Sequence, residues 1–377
     1  MKNITPVGAW ISSVLCLITT ATACAGGSTK HLIKRDEEGY AGGVTPEPVT
    51  CQSVGTCPYA NNSMGPWTPE ANLRQFQLTD DAFNSFDLSK FNHRDDTLVY
   101  MPGERVFNMA QHVQDIMFTY ASYPDNHVHN HPYKVSLGEG NWTLSLSDCT
   151  GTNTGAIQSP EGWRGPTGRR INYEFMTAAL WEEGHIVKEY IWMDLVTVQR
   201  QLGFFSSSVP AEGAQSLSLS PYTWPLATNP DEDVSQDNKQ FLREVGTALN
   251  NGEFTAEGFR LSPNATIFTS REDTPNGLDN QQFLALVERL AASFSDVRLE
   301  QETIIGQGDW TASIGRLSGR HTGALEVPGY ISDTPIPSLN NTFGVYFYTI
   351  ARWQNGQVTH LKVMIDVLAI LDQIQLE

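Results

Sequence analysis

Cysteine is scarce: five among 377 residues. Cys16 and Cys24 fall inside or beside an apolar N-terminal stretch, which leaves Cys51, Cys57 and Cys149, an odd number. Cys51 and Cys57 are placed to close a small loop in an oxidising compartment, with Cys149 then a buried free thiol or a partner for Cys24. A disulfide framework is excluded, so the fold rests on hydrophobic cores. Basic residues are also few. There are 24 Lys and Arg against 42 Asp and Glu, a net charge of −18. That balance argues against nucleic acid as a partner, because phosphates require a Lys/Arg surface. No apolar run is long enough to span a membrane. The one candidate, Val7 to Ala21, is short and broken by Ser and Thr. A phosphate-cradling glycine loop followed by Lys-Ser/Thr, a dinucleotide fingerprint, a Gly-x-Ser-x-Gly elbow and a His-Glu-x-x-His helix are all missing.

What is present is a globular composition, 40% hydrophobic and 18% charged, in a chain long enough for two ordinary domains. The start reads as a secretory signal over residues 1–23, with Lys2, an apolar stretch and Ala21-Thr-Ala23 as a small-residue cleavage site. Secretion is therefore expected. Four sequons agree with that route, at Asn61, Asn141, Asn264 and Asn340. Lys34-Arg35 is either a dibasic processing point or an incidental pair. Residues 24–71 form a Gly/Pro-rich leader, and 206–234, rich in Ser and Pro, form a linker.

The two remaining stretches, 72–205 and 235–377, end alike. Trp181, Gly184, Asp194 and Gln201 recur as Trp353, Gly356, Asp366 and Gln373 at the same spacing. A repeat of this length predicts two copies of one domain. Each copy reads as helical segments followed by antiparallel strands, an α+β pattern. Ala110, Val113, Ile116, Met117 and Tyr120 mark one helix face, and Phe283, Leu286, Val287, Leu290 and Phe294 its counterpart. Hairpins are predicted at Glu183-Gly184 and Asn355-Gly356. A curved, mostly antiparallel sheet wrapped over helices leaves one concave apolar pocket per copy.

The repeated Trp-x-x-Gly-x-(Ile/Val) … Asp … Gln-(Leu/Ile) pattern, with DNHVHNHPYKVSLGEGNWT and PTGRRINYEFMTAALW in the first copy, resembles the SnoaL-like branch of the nuclear-transport-factor-2-like superfamily. The resemblance covers residues 75–205 and, more loosely, 237–377. It implies two tandem cone-shaped α+β barrels. Polyketide cyclases, limonene-type epoxide hydrolases, ketosteroid-type isomerases and dehydratases share this fold and generally act without metal or organic cofactor. Non-catalytic ligand binders share it too. The Arg-x-Asp of the limonene-type hydrolases is absent from the Trp142 strand, which reads Thr-Leu-Ser-Leu-Ser. Domains of this superfamily often pair sheet to sheet, so the two copies are expected to pair within one chain, as a monomer shaped like a dimer.

The motif position of the cyclases' general acid/base matches Asp194, and Asp366 in the second copy. A carboxylate in an apolar pocket holds its proton more tightly and suits proton transfer near neutral pH. The other reading of Asp194 is a helix N-cap. His127, His129 and His131 alternate and would share a face of a strand. They span roughly 13 Å, too far for one metal centre, so no metal is expected there. His129 or His127 is instead the expected partner of Asp194. Tyr100, Tyr120, Asn172, Glu174, Tyr190, Trp192, Tyr346 and Tyr348 are the expected pocket lining; Trp142 and Trp310 read as core. The expected function is acid–base chemistry in secondary metabolism, opening an epoxide or cyclising a hydrophobic polyketide or terpenoid intermediate. The alternative is a secreted small-molecule carrier without turnover.

Overall fold

The computed structural model describes residues 67–159, 162–204, 235–269, 277–326 and 334–375. The expected signal, residues 24–66 of the leader with Asn61, Cys51 and Cys57, and the linker lie outside the described residues; the first helix begins at Pro69, inside the stretch expected as leader. The first unit runs α1 (Pro69–Asn84), β1 (His93–Met101), β2 (Arg105–Phe107), α2 (Met109–Ser122), β3 (His127–Val128), β4 (Val135–Glu139), β5 (Trp142–Thr152), β6 (Ile157–Ser159), β7 (Gly162–Arg164), β8 (Arg170–Glu182), β9 (His185–Met193) and α3 (Leu195–Leu202). The second runs α4 (Ser235–Asn250), β10 (Leu261–Phe268), α5 (Asn280–Ser293), β11 (Phe294–Gln307), β12 (Trp310–His321), β13 (Thr342–Gln354), β14 (Gln357–Ile365) and α6 (Val367–Gln375).

Each unit is a curved sheet with helices, as the α+β pattern predicts, but neither sheet closes into a barrel. The first sheet has the order β2-β1-β9-β8-β5-β3 with β4 also on β5; the second has β10-β14-β13-β12-β11. One pairing in each is parallel, β1 with β9 and β10 with β14, and the others are antiparallel. Helix starts are set by side-chain caps. Asn108 with Gln111, and Asp279 with Gln282, form matching capping boxes on α2 and α5. The β8–β9 and β13–β14 turns place Glu183-Gly184 and Asn355-Gly356 at positive φ, as tight hairpin turns require.

The repeat seen in the sequence is a repeat of bonds. Trp181 Nε1 donates to Thr143 Oγ1 at 2.8 Å, and Trp353 Nε1 to Thr311 Oγ1 at 2.7 Å. The Gln201 amide bonds both backbone groups of Asn172, and Gln373 does the same to Gly344. Asn84 clamps Val128 as Asn250 clamps Leu299. Gly155 and Gly323 pass so close to helix carbonyls that a Cβ would stand 1.9 Å from Ala121 O and 2.3 Å from Ala292 O.

The two sheets meet face to face. Leu144, Leu146, Met176 and Tyr190 from one side share a single buried cluster with Ile314, Tyr348, Ile350 and Met364 from the other. Each such aliphatic side chain contributes about 1.5–3 kcal/mol on burial. Polar ties accompany the cluster: Lys239 Nζ to Glu139 at 2.7 Å, Tyr190 Oη to Glu302 at 2.9 Å, and Lys362 to Glu174. No helix among the described residues is long and apolar enough to cross a membrane. Asn141, Asn264 and Asn340 are exposed.

Candidate active site

A cavity of about 250 Å³ lies inside the first unit, between the inner face of its sheet and helices α1, α2 and α3. Period-two alternation selects what reaches it. On β8 the odd-numbered Ile171, Tyr173, Phe175 and Thr177 line it, and on β9 Glu189, Ile191 and Met193. Phe83 and Asp80 arrive from α1, His112 and Ile116 from α2, Val198 from α3, and His93 from the start of β1. The wall is mostly apolar, with a few convergent ionisable groups.

Three of those groups form a buried cluster. His93 Nε2 stands 3.0 Å from Glu189 Oε2, and His112 Nε2 3.7 Å from the same oxygen. Burial works to raise the Glu189 carboxyl, and the His93 imidazole beside it outweighs that, so Glu189 sits below its ordinary value. Burial pushes His112 down to about 4, which keeps it neutral near pH 7. Neither Nδ1 has a hydrogen-bond partner among the described residues. Asp80 lines the same cavity and accepts from the Tyr133 hydroxyl at 2.6 Å. Burial drives Asp80 up to about 7 against the lowering effect of that hydrogen bond, so at neutral pH it is poised between acid and carboxylate. Cys149 also reaches the cavity, but burial raises its thiol to about 12, too far for a thiolate nucleophile.

The second unit has the same frame without these groups. Leu261 opens β10 as His93 opens β1, and Leu361 faces Ile267 as Glu189 faces Val99. Phe283 follows the capping box of α5 as His112 follows that of α2. Leu261, Phe283 and Leu361 pack together in one apolar core.

The expected site residues stand elsewhere. Asp194 is buried, but its oxygens accept from Thr197 N at 3.1 Å and Thr197 Oγ1 at 2.8 Å, capping α3, and it does not line the cavity. Burial raises its carboxyl. Asp366 caps α6 through Ala369 N at 2.9 Å and accepts from Gly103 N of the first unit at 2.6 Å. Val128 points inward, so its neighbours His127 and His129 point out. His129 Nε2 meets Thr150 Oγ1 at 3.0 Å, and both histidines border a surface hollow with Asp81 and His131. Asn172, Glu174, Tyr190 and Trp192 hold even positions on β8 and β9, the face turned from the cavity. Tyr100, Tyr190, Tyr346 and Tyr348 gather between the two sheets. Tyr120 is occupied at 2.8 Å by the Phe83 carbonyl beneath α2. His93, His112, Glu189 and Asp80 belong to no motif in the sequence. The signal that marks the first three is the contrast between copies, polar in one and apolar in the other.

The model of the SnoaL-like polyketide cyclases matches the chain twice, over residues 75–202 and 239–374. The chain belongs to the SnoaL-like polyketide cyclase family. A cyclase-type role, acting on small hydrophobic substrates, follows at that level. No curated protein matches the chain in sequence. Among solved structures, AclR of Streptomyces galilaeus, described as a candidate hydroxylase, is similar at 18% identity, with 38% of this chain and 87% of that one covered and a TM-score of 0.34. IdmH of Streptomyces antibioticus, described as a candidate polyketide cyclase, is similar at 22% identity, covering 35% and 98%, with a TM-score of 0.31. TsrD of Streptomyces laurentii is similar at 20% identity, covering 38% and 98%, also with a TM-score of 0.31.

Proposed function

We propose that the first unit is the catalytic one and carries out proton-transfer chemistry on a compact hydrophobic polyketide or terpenoid intermediate, closing a ring or opening an epoxide. The observation that carries this reading is the placement of Glu189, His93, His112 and Asp80 on the wall of one apolar cavity. Glu189, held anionic beside His93, removes a proton from carbon or from an attacking hydroxyl. Asp80, protonated for part of the time near pH 7, delivers one to the oxygen on which charge develops. The apolar wall keeps bulk water from competing. The second unit, its counterpart positions filled by Leu261, Phe283 and Leu361, acts as a structural partner, and the chain works as a monomer. A secreted location is part of the same proposal, supported by the N-terminal pattern and the exposed sequon asparagines.

The test is metabolite profiling of the producing organism with the gene deleted and then restored as wild type, Glu189→Gln or Asp194→Asn. Accumulation of one precursor that wild type and Asp194→Asn clear, and Glu189→Gln does not, is the expected result. Full clearance by Glu189→Gln would sink the reading. The rival reading, a carrier without turnover, draws support from Asp194 being committed to its own helix. It predicts that no precursor accumulates on deletion.

A further inference from the structure

We propose that His93, His112 and Glu189 form a binding site for a divalent first-row transition ion of the zinc type, with an open coordination position facing the cavity. The inference rests on the reading of that cavity as the reaction site, and it departs from the cofactor-free chemistry that the family resemblance implies.

Two imidazoles and one carboxylate are a ligand set that zinc and its neighbours accept, and three protein ligands plus a free position are the pattern of catalytic rather than structural sites. The three ligand atoms lie within 4.8 Å of one another. Two of the separations are 3.0 and 3.7 Å. Tetrahedral ligands at about 2.0–2.1 Å from zinc stand about 3.4 Å apart, so small side-chain shifts bring these atoms onto one centre. The residues come from three elements, β1, α2 and β9, whose positions are fixed by a parallel strand pairing and a capping box.

Three further observations favour a cation. His112 is 4% exposed, its Nδ1 has no partner among the described residues, and its Nε2 is beyond hydrogen-bond reach of Glu189. An ion between the Nε2 atoms would give His112 the partner that Glu189 is too far to supply, and would fix both rings with Nδ1 protonated. Asp80, Asp115 and Glu189 line the cavity, and among the described residues no lysine or arginine lines it with them. Finally, all three ligand positions are apolar in the second unit, while the Trp–Thr, Gln–backbone and Asn–backbone bonds of the frame are kept in both. The three positions differ together between the two units, as members of one site would. With an ion bound, Glu189 would serve as its ligand, and the base role given to it above would pass to Asp80, which takes the proton as carboxylate and returns it as acid while the ion polarises a carbonyl or epoxide oxygen of the substrate.

The test uses the untagged full chain. Its metal content is measured by mass spectrometry; the protein is then stripped with chelator and titrated with Zn²⁺ and with Co²⁺, alongside His112→Phe and Glu189→Gln. Thermal unfolding confirms that each variant is folded, and His112→Phe copies a residue the second unit already accommodates. About one ion per chain, visible absorption of low-coordinate Co²⁺, and loss of both in either variant are expected. The proposal is overturned if folded wild type takes up neither ion with a dissociation constant below about 10 μM. It is also overturned if both variants bind as wild type does, which would place the ion elsewhere, such as at the surface histidines. Failure here with Glu189→Gln still unable to clear the precursor leaves the cavity reading standing. Binding here with full clearance by Glu189→Gln removes the cavity reading alone.

Discussion

Lys362 of the second unit donates to Glu174 of the first, and neither side chain has any exposed surface. Burial alone would raise the Glu174 carboxyl; the ammonium groups of Lys362 and Lys134 outweigh it and bring it down to about 2. A buried pair of this kind costs desolvation on both sides, so its removal as a unit is tolerated better than the loss of one member. Lys362→Met should destabilise the protein by about 3–5 kcal/mol in urea unfolding, and adding Glu174→Gln should recover part of that. Equal stability of the single and double variants would refute this account.

The same pair sets an acid limit. A depressed carboxyl contributes stability that is present above its unfolded value of about 4.5 and is lost as pH falls toward about 2. Unfolding followed from pH 5 downward should show this loss in wild type, and Glu174→Gln should flatten it.

Asp80 gives the opposite sign. Its folded value of about 7 lies above the ordinary 3.8, so the folded state holds a proton that the unfolded state has released. Stability then falls as pH rises between those values, by up to about 4 kcal/mol. Asp80→Asn keeps an acceptor for Tyr133 and should be more stable than wild type above pH 7 while losing turnover. A pH–stability curve parallel to wild type would contradict the assignment.

Asp194→Ala should cost about 1–2 kcal/mol through loss of the α3 cap, without a change in turnover per folded molecule. Asp194→Asn, still able to accept from Thr197 N, should cost less. A drop in turnover with unchanged folded fraction would return Asp194 to the chemistry.

Gly155→Ala and Gly323→Ala should each destabilise the protein by about 3 kcal/mol, because the added methyl group meets a helix carbonyl in both units. Thermal unfolding of the two variants checks whether the copies are equally sensitive.

The frame was legible in the sequence because its marks are local and duplicated. Trp181 and Trp353 anchor to a threonine on the adjacent strand, Gln201 and Gln373 tie the last helix back to the sheet, and the glycines turn the hairpins. The site was less legible because it depends on parity. Glu189 and Tyr190 leave β9 on opposite faces while Asp194 follows the strand as the α3 cap, and nothing within the strand says which face meets the helices and which meets a second sheet, since both are apolar. His93 was further hidden by the run Arg94-Asp95-Asp96 that follows it, where the β1–β9 register shifts and no alternation is visible.

The covered face between the sheets has one more consequence. When a symmetric assembly is made from identical chains, any substitution strikes every cavity at once, and a filled pocket in one half means a filled pocket in the other. Here the halves are separate stretches of one gene. Leucine and phenylalanine could take over at 261, 283 and 361 while 93, 112 and 189 stayed polar. Having both copies in one chain is what permits them to differ: under the proposed function only the first has a site to keep, and the second has only to fit.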